Sequence, residues 1–492
     1  LLMAVAMVIF FPFMLNNINF SENVQSDTET VQYMSERKIS LNIPFIFYTS
    51  IPEDFDKVNE EFTQLVETKL GFSANLIALL SSGRTATATM MENEGTVFDL
   101  FPSALGAPFT DEANLMELDS LLQTDGKNIL ALFSEEELSS PNLRKNGKLL
   151  RLPNKVDNAE CACVVMRTDL LEEYGITQKA SSIQELDQIL TNIAQSEKER
   201  SLIAPSRLDR SFLNRYYTWI PVGNAGFVIM NYGRSEMVEL LYETEEYREM
   251  VSLFYRWKQN GWVPDIAFLN EFPASDLVKA QELVGYFCHY KPGIDTQESM
   301  KCGYDMEAWV LTDSVLTSNQ PASTWAISKQ SKYPKEAMQL LNLMYTDKEA
   351  MNLLNYGIEG RNYKVSETGN AVPVSAQEET LYYSALGWEL PNQYLCVPWG
   401  DDPFDIWEET QRFNETAQRP ESLDFVFRPD GYETELLAMN SIIEEYAFGL
   451  ETGNLNPSEY LPIFLEELQE AGSERVKKVV NEQYQNWRKK AR

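Results

Sequence analysis

The chain has 492 residues, 44% hydrophobic and 23% charged, an ordinary globular composition that is too long for one compact core and predicts two or three domains. It carries 41 Lys and Arg against 74 Asp and Glu, a net charge of −33, and a field of that sign excludes nucleic acid and anionic lipid surfaces as natural partners. His289 is the only histidine, which excludes His-rich zinc sites and leaves any Ser-His-Asp or Cys-His mechanism to one residue.

In chain order, Leu1–Leu15 (LLMAVAMVIFFPFML) is uncharged and broken only by Pro12. It is shorter than the roughly 20 residues of a membrane-spanning helix and fits the apolar stretch of an export signal or uncleaved anchor. That reading puts the protein on the extracellular face of the cell membrane, with residues 16–40 as a polar tether. Leu41–Tyr48 predicts a buried strand. Phe55, Val58, Phe62 and Leu65 then recur at helical spacing, and Gly71 supplies the stop. Ala74–Leu80 predicts a second strand, Arg84–Glu92 a helix and Val97–Phe101 a third strand. Strands alternating with helices imply a parallel sheet covered on both faces, with ligands beyond the carboxyl ends of its strands. Those ends are Tyr48-Thr49-Ser50 and Asp99-Leu100-Phe101.

Further along, Asn146-Gly147 predicts a hairpin turn into a strand at Leu149–Pro153, and the polar stretch Asn154–Glu160 separates it from the apolar Cys161–Met166. Ser182 and Glu185 form a capping box for a helix with Ile183, Leu186, Leu190 and Ile193 on its apolar face. Residues 240–260 predict a helix with acids at its start and bases at its end, as the helix dipole prefers. Trp325–Ile327 reads as a strand, Pro334 opens a helix, and Thr434–Trp487 is helical in pattern.

Chemistry-bearing motifs are sparse. The five cysteines (Cys161, Cys163, Cys288, Cys302, Cys396) are too scattered for a disulfide scaffold, and Cys288 and Cys302 either pair in an exported chain or serve as small buried hydrophobes. Phosphate-binding Gly-rich loops and the G-x-S-x-G nucleophile elbow are absent. Asp401, Asp402 and Asp405 lack calcium-loop spacing and do not flank a bond from two sides, so they read as a solvated acidic loop. His289 reads as a strand residue. What stands out is 9 Trp, 23 Tyr and 25 Phe beside surplus carboxylates, the residue types a carbohydrate site uses to stack on ring faces and bind hydroxyls. Trp219, Trp309, Trp325, Trp388 and Trp399 fall at turn-like or strand-end positions; Trp257 and Trp262 read as packing residues.

The run TWAISKQSKYPKEAMQLLNLMYTDKEAMNLLNYGIEGRNY (Thr324–Tyr363) closely resembles the extracellular solute-binding proteins of ABC importers, in the LipO-like branch of family 1. Phe98–Phe101, Glu117–Leu122, Asn146–Pro153 and Arg167–Ile176 fall in the expected order upstream. Leu423–Phe427, Thr434–Leu436, Glu445-Tyr446, Leu450–Gly453 and Glu470–Gly472 match that branch's C-terminal domain of unknown function. The branch's lipobox cysteine is absent, and Asn362 stands where the branch carries His. The resemblance implies an α/β, two-lobe periplasmic-binding-protein-like (type 2) fold with an interlobe cleft, a helical C-terminal region and three crossings between lobes. Lobe 1 is expected at 41–155 plus 324–398 and lobe 2 at 160–322 plus 399–492, with polar joints at Asn154–Glu160 and Asn319–Ser323 acting as hinges. It also implies capture of a polar solute, an oligosaccharide by the aromatic content, for delivery to ABC permease subunits in the membrane, with no catalytic residue, cofactor or metal. Expected ligand-binding residues are Tyr48, Thr49, Asp99, Phe101, Glu160, Trp219, Trp325, Glu359, Arg361, Trp388 and Trp399. From the residues alone, Asp99 reads equally as a helix cap, and Glu359 and Arg361 as braces of the turn around Gly357 and Gly360. Two other classes stay open: a secreted glycoside hydrolase, which needs two carboxylates on opposite sides of a sugar, and a surface carbohydrate-binding adhesin module.

Overall fold

A computed structural model describes residues 39–491 except 49, 141, 208–209, 217, 266–272, 317–322, 375–381 and 383–386. The signal or anchor segment 1–15, most of the tether, Thr49 and most of the Asn319–Ser323 joint therefore lie outside the described residues.

The first strand, Ser40–Phe47, pairs in parallel with Ser73–Leu80, and the helix Phe55–Leu70 between them makes the crossover. Its Phe55, Val58, Phe62 and Val66 pack against Leu41, Ile43, Phe45 and Phe47. The third strand is shorter than its apolar run predicts, Leu100–Pro102, because Asp99 turns inward to bond with its neighbours. Leu100–Pro102 and Leu152–Pro153 flank Thr324–Ile327, both antiparallel. The Asn146-Gly147 hairpin forms as expected, both residues at positive φ, as a two-residue hairpin turn requires. Helices Pro334–Thr346 and Lys348–Tyr356 complete this first core.

A second core begins beyond the polar joint. Its sheet runs in the order Met306–Val310, Ala162–Arg167, Leu283–His289, Ser201–Ala204. Only the last pair is parallel. The reason is connectivity: Ala162–Arg167 enters directly from the joint and runs against both neighbours. The Ser182 hydroxyl caps Ile183–Ser196 by accepting from Glu185 N, but the Glu185 carboxylate accepts from Ser181 rather than closing the box on Ser182. All five cysteines are free and buried; Cys302 meets the Tyr286 hydroxyl at 3.4 Å instead of pairing with Cys288. Helices Glu433–Glu451 and Pro457–Glu470 pack onto Glu245–Gln259, and Ser473–Ala491 packs on both of them to complete one helical cap. Gly453 permits that seat, since a Cβ there would lie 2.3 Å from the Phe254 carbonyl.

Residues 41–152 and 325–399 furnish one core, 162–311 and 436–484 the other, so the chain passes between them three times. The passages are tied together. Glu160 pairs with Val315, Asn154 N donates to Ser323 O, and Asn414 Oδ1 accepts from Asn158 N and Ala159 N. Helix Ile406–Thr416 rides on this bundle, its Trp407 indole donating to Cys396 O at 2.5 Å. No helix among the described residues is long and apolar enough to cross a membrane.

Candidate functional site

On the first core, the chain leaves the sheet at Tyr48, where a parallel strand delivers side chains to a cleft. Tyr48 is 44% exposed, and its ring lies against Trp388 with centroids 5.5 Å apart and planes at 46°. Its hydroxyl donates to the Glu389 carboxylate. Glu389 is 4% exposed; burial pushes its carboxyl up to about 7, opposed by the Tyr48 hydrogen bond and by the Arg84 guanidinium. Burial likewise raises the Tyr48 phenol, helped by the Glu389 charge. Two further bonds fix the Trp388-Glu389 dipeptide: Asn154 Nδ2 donates to Trp388 O at 3.0 Å, and Trp325 Nε1 to Glu389 O at 2.8 Å.

Three residues after Asn154, at most about 11 Å of extended chain, the same joint reaches the second core. His289 ends its strand between two carboxylates: Nε2 is 3.0 Å from Asp157 Oδ2, and Nδ1 meets Glu160. Burial alone would lower the imidazole, but the two carboxylates win and hold it at about 9. Burial would raise Asp157, but His289 and then Lys291 bring it down to about 2. Beyond His289 a cavity of about 520 Å³ opens between residues 290–296 and helix Ile406–Thr416. Tyr290 and Phe413 meet edge to face at its wall, 5.3 Å between centroids. Lys291, Asp295, Glu409 and Arg412 supply charged hydrogen-bonding groups. A rigid aromatic wall with mixed charges suits a ligand dense in hydroxyls. Among the described residues no cluster of His, Cys, Asp and Glu is arranged to hold a metal ion.

The expected site residues divide sharply. Tyr48 and Trp388 come together as one surface, and Glu160 lies at the joint against His289. Trp399 is partly exposed and stacks on Tyr356 at 5.1 Å and 23°. The others serve the framework. Asp99 is buried, accepting from Asn42 N and Ser331 Oγ rather than capping a helix. Phe101 packs on Phe109. Trp219 (5% exposed) and Trp325 (2%) are core side chains and present no ring face, which corrects their assignment as platforms. A short strand end in a layered core faces inward as readily as outward, and sequence position does not separate the two. Arg361 holds Asp54 through Nε and Nη2 at 2.7 and 2.8 Å, bracing the turn, while Glu359 is exposed. Thr49 lies outside the described residues.

Asp402 is a second correction. It is half-buried rather than fully solvated, unlike Asp401 and Asp405, which are exposed: its carboxylate lies 2.9 Å from where a Gly293 Cβ would stand, at the start of helix Ile294–Cys302, and burial pushes it up to about 6. Sequence reasoning also missed Glu389, Arg84, Asp157, His289 and Lys291. The usable signal was position: Asp157 sits inside the polar joint and His289 at a strand terminus.

Comparison with known proteins agrees with this architecture. A domain of unknown function, DUF3502, matches residues 421–489. A carbohydrate ABC transporter substrate-binding protein of Streptococcus pneumoniae is 22% identical over 440 residues, covering 88% of this chain and 87% of that one. The crystal structure of the N-glycan transport solute binding protein NgtS from Streptococcus pneumoniae superposes with a TM-score of 0.80 at 20% identity, covering 92% of this chain and 100% of that chain. A Streptococcus pneumoniae ABC-transporter substrate binding protein, FusA, in complex with kestose gives 0.61 at 12% identity, covering 92% and 100%. The chain thus has the two-lobe solute-binding-protein fold, and the proteins it resembles are binding components of transporters.

Proposed function

We propose that the protein is the substrate-binding component of an ABC importer, capturing an oligosaccharide between its lobes and delivering it to a membrane permease on the extracellular face of the cell. The observation that carries this is the Tyr48–Trp388 surface joined through Asn154 to the hinge, so that a sugar stacked there senses lobe closure. Closure needs a ligand that binds the closed form more tightly than the open one. Groups on the joint, on both cores and on helix Ile406–Thr416 supply that difference only when the lobes approach. The likeness to solute-binding proteins, among them NgtS, whose structures include complexes with Man1GlcNAc and Man5GlcNAc, supports an oligosaccharide ligand. The passages favour lobe boundaries close to 41–155 plus 324–398 and 160–322 plus 399–492, with 399–416 lying along the hinge. An exported position rests on Leu1–Leu15 and on the resemblance.

The hydrolase alternative loses support at the joint. Asp157 and Glu160 are both committed to His289, and neither is free to donate or accept a proton at a glycosidic bond. The test is a thermal-shift screen with Man1GlcNAc, Man5GlcNAc and kestose, followed by product analysis. A true ligand at 100 times its Kd adds about 2.7 kcal/mol of stability, and the sugar is recovered intact. Cleaved sugar restores the hydrolase; a flat screen removes these three as ligands.

A further inference from the structure

The pair Tyr48–Trp388 is not held by its own ring contact alone. Nothing in the stacking fixes the Tyr48 ring at 46° to the indole; a phenol at a strand exit turns about its side-chain bonds unless its hydroxyl is anchored. The anchor is Glu389, the residue that follows Trp388, so one dipeptide supplies both the aromatic partner and the hydrogen-bond acceptor. That dipeptide is in turn immobilised from behind by Trp325 and Asn154. Among the described residues, the titratable or charged groups facing the Glu389 carboxyl are Tyr48, from the first strand, and Arg84, from the start of helix Arg84–Asn93. Arg84 is itself tethered to Ala104 O and Ser81 O.

We propose that Glu389 is a positioning residue for the ligand: through the Tyr48 hydroxyl it sets the aromatic surface on which a sugar ring stacks, without touching the sugar itself. This rests on the carbohydrate reading above and deepens it. The ionised carboxylate makes a charge-assisted bond to the phenol, about twice as strong as a neutral one, so the surface is best ordered when Glu389 is charged. Its carboxyl titrates at about 7 in the free protein. A ligand that prefers the charged form lowers that value in the complex, so affinity rises with pH up to 7 and then levels off. Each unit of depression gives up to about tenfold tighter binding.

The experiment uses the full chain and two arms. Without ligand, the near-ultraviolet circular dichroism of wild type should titrate with a midpoint near 7. Trp388→Phe assigns that signal to the ring pair, and Glu389→Gln should abolish its titration. With Man1GlcNAc as probe, wild-type Kd should fall several-fold between pH 5.5 and 8. Glu389→Gln should bind with one pH-independent affinity, tighter than Glu389→Ala because the amide oxygen still accepts from Tyr48. Tyr48→Phe should lose the pH dependence as well. If Glu389→Gln titrates like wild type in either arm, or Glu389→Ala binds like wild type, the positioning role is overturned. If wild type binds neither Man1GlcNAc nor the other two glycans, these three are removed as ligands, while the ligand-free arm still decides whether Glu389 orders the ring pair.

Discussion

Asp54 is a buried carboxylate with three donors converging on it: Arg361 through two nitrogens, Asn362 Nδ2 at 2.9 Å and Lys57 Nζ at 2.7 Å. The Arg361 guanidinium foremost holds it far below the usual carboxylate range, against the opposing effect of burial. A depressed carboxylate stabilises the fold above its unfolded pKa and stops doing so as pH falls through the folded one. Arg361→Ala should therefore lower the melting temperature by a few degrees at pH 7, and the deficit should shrink as Asp54 becomes protonated in strong acid. A melting series from pH 7 to pH 2 checks this; a deficit independent of pH would mean the side chain matters only for packing. The specific GIEGRN motif thus marks a brace between helix Phe55–Leu70 and the turn at Gly357. The asparagine in place of the branch's histidine completes the brace, with Oδ1 accepting from Ile358 N at 2.8 Å.

At the scale of elements, what the sequence made legible followed from periodicity and punctuation. The helix over 55–70, the hairpin at Asn146-Gly147, the capped helix after Ser182 and the C-terminal helices all stand where spacing and turn chemistry put them. Strand direction and side-chain facing were not legible, because both are set by which strands become neighbours after the chain has crossed between lobes. Trp325 and Trp388 show the consequence. Both sit near the hinge, yet Trp325 lies inside the first core with its indole bonded to Glu389 O, while Trp388 is part-exposed against Tyr48. Trp325→Ala should cost about 3–5 kcal/mol of folding stability, since it opens a cavity and releases the platform segment. Trp388→Ala should leave the melt nearly intact and weaken oligosaccharide binding by about 1–3 kcal/mol. Paired melting and titration of the two variants decides it, and exchanged phenotypes would reverse the assignment of core and surface.

At the scale of the whole molecule, the joint must bend without coming apart, and the polarity that marks Asn154–Glu160 in sequence serves that need. Its carboxylates are not free; Asp157 and the part-exposed Glu160 clasp His289 at the end of a strand of the second core. The clasp gives the chain's only histidine a structural charge. Because its pKa is raised in the fold to about 9, its contribution is complete below the unfolded value of about 6.5 and is lost as pH rises through 9. A rise of that size corresponds to at most about 3 kcal/mol. The ring is 24% exposed, and solvent screening trims this to about 2 kcal/mol. His289→Gln keeps hydrogen-bonding capacity but not the charge, so it should be about 2 kcal/mol less stable than wild type at pH 6 and nearly equal to it at pH 10. Urea melts of the two proteins at both pH values measure the difference directly, and the comparison cancels the titrating groups that do not touch His289. An equal deficit at pH 6 and pH 10 would show that the imidazole packs at the hinge as a neutral ring. The two carboxylates of the joint would then need another partner for their charge.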